Sequence, residues 1–189
     1  METVLEKLEA DQTELKSLEP LYTASFPDYE AKPFEMILDG VRSHRMEAYV
    51  LKTQQNESAA LAFVILGRKA VLLDYLAVDP AFQSHGFGSR ILDQLSELYD
   101  APLIVEIEST YENVDDEEKN LRIRRKNFYL RNGFYDDEEK IRLFGVDMEL
   151  MSTRSKISFE DYFEILDEYL NAYHISGRRH VLSLNEDRN

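Results

Sequence analysis

The most constraining feature of this chain is an apolar stretch that runs directly into a turn containing two glycines. Residues 70–78 are apolar except for Asp74, which predicts a central strand buried on both faces. The turn carries Gly86 and Gly88, and residues 90–99 then repeat leucine and isoleucine at helical spacing. A strand, a short turn and a helix in this order direct backbone N–H groups toward one point, an arrangement that suits a phosphate group.

The remaining pattern predicts more strands and helices on both sides of this segment. Additional strands are predicted at 47–51, 59–65, 102–108, 140–144 and 146–150. Helices are predicted at 33–42, at 115–131 and from Ser158 onward. A capping box at 11–14 indicates the start of another helix, and we expect Pro20 to kink or split it. Residues 4–8 suit either a strand or a helix, and we expect the tail from Arg178 to be frayed. This mixture predicts one α/β (α+β) domain.

The chain is strongly acidic and lacks cysteine. Its 22 Lys and Arg against 37 Asp and Glu give a net charge of −15, which argues against nucleic-acid binding and favours cationic small molecules or peptides as partners. Without cysteine, disulfides and thiolate zinc sites are excluded, and four scattered histidines predict no metal site. No apolar stretch approaches 18 residues and the acidic start lacks the layout of a signal peptide, so we expect a cytoplasmic protein without membrane contact.

Two common phosphate-binding motifs do not fit the glycine turn. A dinucleotide-binding fingerprint needs a third small residue where Ile91 stands, and its first glycine should follow the strand directly, whereas seven residues separate Val78 from Gly86. A P-loop is excluded because the chain contains no Gly-Lys-Ser/Thr sequence.

A third motif fits, and it is supported by a second one downstream. The pattern Gln83-x-x-Gly86-x-Gly88 after Leu-Ala-Val-Asp-Pro80 resembles the acetyl-CoA signature of the GNAT superfamily of N-acetyltransferases. The sequence FYLRNGF at 128–134 is similar to the end of that family's last helix. The resemblance covers roughly residues 2–152 and implies a central mixed, mostly antiparallel sheet with helices on both faces. We therefore expect a GNAT-like domain over 1–152, with 153–189 forming an extra C-terminal amphipathic helix and tail packed on it.

The resemblance also implies acetyl-CoA as co-substrate, without a metal. The loop amides would hold the pyrophosphate and the preceding strand end would hold the pantetheine arm. By position these residues are Leu76, Ala77, Val78, Gln83, Ser84, His85, Gly86, Phe87, Gly88 and Ser89. Many members carry Asn and Ala where this chain has Arg122 and Arg125, so an asparagine contact with the pantetheine is not expected.

Acetyl transfer to an amine requires a donor for the oxyanion, a proton for the leaving thiolate and loss of a proton from the ammonium. The resemblance implies the backbone N–H of Val78 as oxyanion donor and Tyr129 as the acid, with a core aromatic as the alternative for Tyr129. For the base we rank Glu108 and Asp74 above Glu106. A structural ion pair at each carboxylate, and deprotonation through water, remain alternatives.

The predicted function is acetyl-CoA-dependent N-acetyl transfer to a primary amine, by direct attack, on a cationic small molecule or peptide. The alternative is a non-catalytic acyl-CoA-binding or regulatory domain. The basic cluster at 122–126 suits either a solvated helix face or contact with the CoA 3′-phosphate. The last helix suits docking on the domain or a homodimer contact, and the loops near 20–35 and 109–116 would select the acceptor.

Overall fold

The structure is a computed structural model that describes residues 3–11, 13–27 and 30–185. The chain divides into two compact units, one formed by 1–66 and 73–98 and the other by 67–72 and 99–189. No helix among the described residues is both long enough and apolar enough to cross a membrane.

The described residues of the first unit form four strands and four α-helices. In chain order they are β1 (Thr3–Leu8), α1 (Thr13–Ser17), α2 (Glu19–Ser25), α3 (Phe34–Arg42), β2 (Met46–Thr53), β3 (Ser58–Leu66), β4 (Val71–Val78) and α4 (Phe87–Leu98). The strand order is β1-β2-β3-β4, and β2 pairs antiparallel with both β1 and β3. The open question at residues 4–8 is resolved as a strand, and the helix around Pro20 is split between α1 and α2 as predicted.

The second unit contains the remaining strands and helices, together with the first two residues of β4. They are β5 (Leu103–Glu108), α5 (Asp116–Arg131), β6 (Tyr135–Leu143), β7 (Val146–Ser152), α6 (Phe159–Asn171), α7 (Gly177–His180) and β8 (Val181–Ser183). Val71 and Leu72 pair parallel with β5, and the order continues β5-β7-β6-β8 with antiparallel pairs. The predicted mixed, mostly antiparallel sheet and the extra C-terminal helix are confirmed.

The core of the sheet lies in its apolar strands. Residues 59–65 of β3 are completely or almost completely buried, and β4 buries most of its positions while Leu76 and Val78 stay half-buried. The helices at Asp116–Arg131 and Phe159–Asn171 begin directly after their capping residues, because the Asp115 and Ser158 side chains accept hydrogen bonds from the N–H groups of Glu118 and Asp161.

Two predictions about the C-terminal half were wrong. β6 begins at Tyr135 rather than at 140, because its opening acidic residues follow no apolar–polar alternation that would reveal a strand. The tail is not frayed over the described residues: 177–180 form α7, and β8 pairs with Ile141–Leu143 of β6.

Candidate active site

The predicted strand, turn and helix occur together in the first unit. β4 ends at Val78, a single 3-10 turn covers Pro80–Phe82, and α4 begins at Phe87. Asp79 fixes this connection: its N–H donates to the Ala59 carbonyl over 3.0 Å and its Oδ1 accepts from the Ala81 N–H over 2.8 Å. The connection is thereby attached to β3 as well as to β4.

The backbone N–H groups of the loop are available to a ligand. From Gln83 to Ser89 none donates a hydrogen bond to another described residue, and the first bond of α4 runs from the Arg90 N–H to the Gly86 carbonyl over 3.1 Å. Residues 83–86 are also exposed to solvent. An exposed run of free N–H groups at a helix N-terminus can bind anionic oxygens.

The loop conformation depends on a left-handed backbone. Gly86 has φ of +80° and Ser84 has φ of +64°. A Cβ atom at Gly86 would have no heavy atom within 4 Å, so glycine is required there by the backbone angle and not by crowding. The open space above Gly86 is the space through which a ligand could approach the amides.

The structure places the other predicted cofactor residues around this loop. The Gln83 amide donates to the Val78 carbonyl over 3.2 Å, and the His85 ring lies 2.7 Å from the Gln83 carbonyl. Phe87 is buried and packs edge-on against Phe82. The remaining predicted residues are the half-buried Leu76, Gly88 and Ser89 and the buried Ala77.

Asp74 lies within β4 and is held by Lys32. The Lys32 ammonium is 2.6 Å and 2.9 Å from the two carboxylate oxygens, and the Asp74 side chain is only 3% exposed. The Tyr75 hydroxyl accepts from the Lys32 N–H and donates to the Glu30 carbonyl, while the Tyr22 hydroxyl donates to the Lys32 carbonyl. The ion-pair alternative for Asp74 therefore has a partner, which the sequence did not reveal because Lys32 is 42 residues away.

Glu108, in the second unit, is held by two arginines of α5. Arg125 donates to one carboxylate oxygen, and Arg122 Nη2 lies 3.8 Å from the other. The carboxylate is largely buried, with 12% of the side chain exposed. Two arginine side chains therefore surround this carboxylate, which gives the ion-pair alternative for Glu108 its partners.

The basic cluster at 122–126 is largely neutralised by acids of the same unit. Arg122 is 9% exposed and binds Glu118 and Glu112, at 2.8 Å and 2.7 Å. Lys126 lies 2.5 Å from Glu149 and 2.7 Å from Asp136. These contacts favour the interpretation of the cluster as a charge-paired helix, and they leave little of it available to a phosphate.

Tyr129 combines a buried ring with an available hydroxyl. The ring packs edge-on against Phe128 and Phe134, with centroids 5.2 Å away in each case. Its hydroxyl has no hydrogen-bond partner within the described part of the chain. Burial raises the pKa of Tyr129 to about 12, and the charge of Arg125 lowers it in part. The phenol is therefore protonated, and able to donate, throughout the physiological pH range.

Glu106, the lowest-ranked base candidate, accepts a hydrogen bond from the Tyr162 hydroxyl of α6 over 2.5 Å. The sequence places Tyr162 on the apolar face of that helix but gives no sign of its partner. No group of three or more potential metal ligands is found among the described residues.

Comparison with known proteins is consistent with this fold and loop. Residues 44–136 match the family model of the GNAT acetyltransferase domain. A GNAT-family protein from Bacteroides thetaiotaomicron has a similar structure, with 21% identity, a TM-score of 0.69, and 89% of this chain and 96% of the other covered. No curated protein sequence is similar enough to count as a match.

Two further solved structures with defined substrates share the fold. The ribosomal-protein-S18-alanine N-acetyltransferase of Escherichia coli is 19% identical over 85% of this chain and 98% of its own, with a TM-score of 0.57. A spermidine N-acetyltransferase from Vibrio cholerae, solved with CoA and spermine, is 15% identical over 85% and 97%, with a TM-score of 0.58. The family model, the strand order and the glycine loop agree, and residues 44–136 of the chain are a GNAT acetyltransferase domain.

Proposed function

We propose that the protein is an acetyl-CoA-dependent N-acetyltransferase whose acceptor is a primary amine of a cationic small molecule or peptide. The observation that carries this proposal is the segment 83–89, exposed over 83–86, whose N–H groups have no acceptor among the described residues. Such a loop binds pyrophosphate oxygens through the backbone, without needing lysine or arginine. The GNAT structures solved with CoA support the assignment of this ligand.

The proposed reaction is a direct transfer. The amine nitrogen attacks the thioester carbonyl, the tetrahedral intermediate collapses with cleavage of the C–S bond, and the thiolate takes a proton. Tyr129 supplies that proton, because its phenol is protonated and its hydroxyl is not engaged.

Water, rather than a carboxylate, removes the proton from the ammonium in this proposal. Each carboxylate considered as a base already has a strong partner: Lys32 for Asp74, Arg125 for Glu108 and Tyr162 for Glu106.

The acidic composition supports a cationic acceptor. With a net charge of −15, the protein attracts amines that arrive as cations, such as a polyamine, an amino sugar or a peptide amino group. The spermidine N-acetyltransferase among the structural neighbours acts on an amine of this class.

The loop assignment is tested with Gly86→Asn and a matched control, Gly145→Asn. Both glycines have positive φ, +80° and +90°, and at neither would a Cβ meet another atom within 4 Å. Both variants should therefore lose similar, small amounts of stability, since asparagine tolerates this conformation. Only Gly86→Asn should weaken acetyl-CoA binding measured by calorimetry, by about tenfold or more, because its side chain occupies the approach to the amides.

Release of CoA is then measured with a panel containing spermidine, an amino sugar and peptides with a free N-terminus or lysine. Amine-dependent release is expected from the wild-type protein and the Gly145 control. Equal acetyl-CoA affinity in both variants would contradict the loop assignment. Tight acetyl-CoA binding without release by any amine would instead identify a non-catalytic acyl-CoA-binding domain.

A further inference from the structure

Asp137, in the second unit, is a buried carboxyl that the proposed reaction does not use. The pairing of β6 with β7 shifts between Asp136, opposite Met151, and Lys140, opposite Glu149, so four steps on β6 span two on β7. This bulge turns Asp137 inward, where it is 6% exposed. The extra residues thus place a carboxyl against the end of β7.

The two oxygens of this carboxyl have different surroundings. Oδ1 lies 2.7 Å from the hydroxyl of Ser152, whereas Oδ2 is enclosed and has no hydrogen-bond partner among the described residues. A buried carboxylate usually has partners for both oxygens, because an ionised group without them is costly to desolvate. The lack of a partner at Oδ2 points to a neutral carboxyl.

Ser152 gives an independent reason for the same conclusion. Its hydroxyl is completely buried and lies 2.7 Å from Asp137 Oδ1 and 2.8 Å from the Ser155 carbonyl. A hydroxyl has one hydrogen, and both a carbonyl and an ionised carboxylate can only accept. Ser152 therefore cannot donate fully to both, and the two short contacts together require a proton on Asp137.

We propose that Asp137 is a proton-operated latch on the segment that leads into α6. In the closed form Asp137 Oδ1–H donates to Ser152 Oγ, and Ser152 Oγ–H donates to the Ser155 carbonyl. When the proton leaves to solvent, the Ser152 hydroxyl turns to the carboxylate and the Ser155 carbonyl loses its donor. The Ser155 part of the segment 153–158 is then held less firmly, while the Ile157 N–H still interacts with the carboxylate.

The charges around the latch agree with this geometry. Burial is the main cause that raises the pKa of Asp137 to about 6, and the charge of Asp136 adds to it. The pKa of Asp137 is lowered in part by three other groups: the Ser152 hydroxyl, the N–H of Ile157 and the ammonium of Lys156. Asp136 is itself paired with Lys126, and Lys156 with Glu138, so neither is free to neutralise the carboxylate completely.

The pH range follows from the sign of this shift. The pKa of Asp137 is higher in the folded protein than its ordinary value of 3.8. Its contribution to stability is therefore complete below that value and is lost as the pH rises through about 6. The loss corresponds to roughly a 10²-fold change in the unfolding equilibrium constant.

The variant Asp137→Asn tests the latch, because its amide N–H can donate to Ser152 as the protonated acid does. Urea unfolding is compared with wild type from pH 5.5 to 8, above the pI of about 4.7 where solubility is lowest. At pH 8 the variant should be more stable, with an unfolding constant up to about 10²-fold lower, and this difference should shrink by roughly fourfold at pH 5.5, because most of the change falls below that pH.

Asp136→Asn is the matched control. Burial opposes ionisation at this neighbour, but Lys126 outweighs it and the pKa of Asp136 is lowered. The control should therefore be less stable than wild type by a constant factor over the whole pH range tested, since its titration lies below that range.

An Asp137→Asn variant that is destabilised equally at pH 5.5 and 8 would overturn the latch. A second measurement decides the matter even if the variant does not fold: the carboxyl carbon of Asp137 is titrated by NMR in the wild-type protein. A midpoint near 6 supports the latch, and a midpoint at or below the ordinary value overturns it. Neither measurement involves acetyl transfer, so the outcome does not depend on the proposed function.

Discussion

Tyr129 shows how one side chain can be partly core and partly site. Its ring packs between Phe128 and Phe134, as expected of a core aromatic, yet its hydroxyl has no partner among the described residues. The raised pKa, about 12, means that the phenol does not titrate between pH 6 and 10. Its role as a proton donor must therefore show in the rate of transfer and not in the pH profile.

We expect Tyr129→Phe to bind acetyl-CoA with unchanged affinity while kcat falls by about 10²-fold, because only the donated proton is lost. The shape of the pH–rate profile between pH 6 and 10 should not change. Tyr135→Phe is the control, since this tyrosine is 56% exposed and lies outside the proposed chemistry. An unchanged kcat accompanied by a lower melting temperature would make Tyr129 a purely structural residue.

At the scale of elements, the segment between α2 and α3 is attached to β4 by the Lys32–Asp74 pair and by the tyrosine hydrogen bonds around it. Removing one partner of a buried ion pair leaves an uncompensated charge, whereas removing both does not. We therefore test the attachment by replacing Lys32 alone and then Lys32 and Asp74 together. The activity of the double variant also shows whether Asp74 takes part in catalysis.

Lys32→Met should lower the free energy of unfolding by about 3–5 kcal/mol, and the double variant Lys32→Met/Asp74→Asn should recover most of this loss in urea unfolding. Lys7→Met is the control, because its pair with Glu47 leaves the lysine 48% exposed and should cost less than about 1 kcal/mol. If the stable double variant still releases CoA at the wild-type rate, Asp74 is not the base. A stable but inactive double variant would restore it as a candidate.

Elements whose pattern is local could be predicted from the sequence, and those that depend on distant partners could not. The strand at 70–78, the loop and α4 form a continuous segment, and the caps at Asp115 and Ser158 act within three residues. The opening of β6 was missed because its carboxylates are bound by Lys126, Lys156 and Asn185 from other parts of the chain. The partners of Asp74 and Glu106 were missed for the same reason.

At the scale of the whole molecule, the net charge of −15 outweighs any single carboxylate near the reaction. A cationic acceptor is attracted by this field and an anionic co-substrate is repelled, and salt weakens both effects. The two substrates should therefore respond to ionic strength in opposite directions.

We expect KM for a polyamine acceptor to rise severalfold between about 20 and 150 mM salt, while KM for acetyl-CoA falls or stays constant. Steady-state kinetics at fixed pH measures both KM values. The control replaces the salt with an uncharged solute at the same osmolality. If neither KM changes with salt, the acceptor is not selected by charge, although the acetyltransferase assignment would stand.

The short strand β8 has a consequence for how the protein behaves at high concentration. An uncovered edge strand offers free N–H and C=O groups to the same strand of another molecule, which is a common beginning of aggregation. Here β8 occupies the outer side of β6 at Ile141–Leu143, and the Leu184 N–H adds a bond to the Lys140 carbonyl. β8 is itself the last strand of the sheet, so along Ile141–Leu143 the edge offered to another molecule is a strand of only three residues. Cutting the chain before Val181 would expose that part of the longer strand β6 and should favour edge-to-edge association.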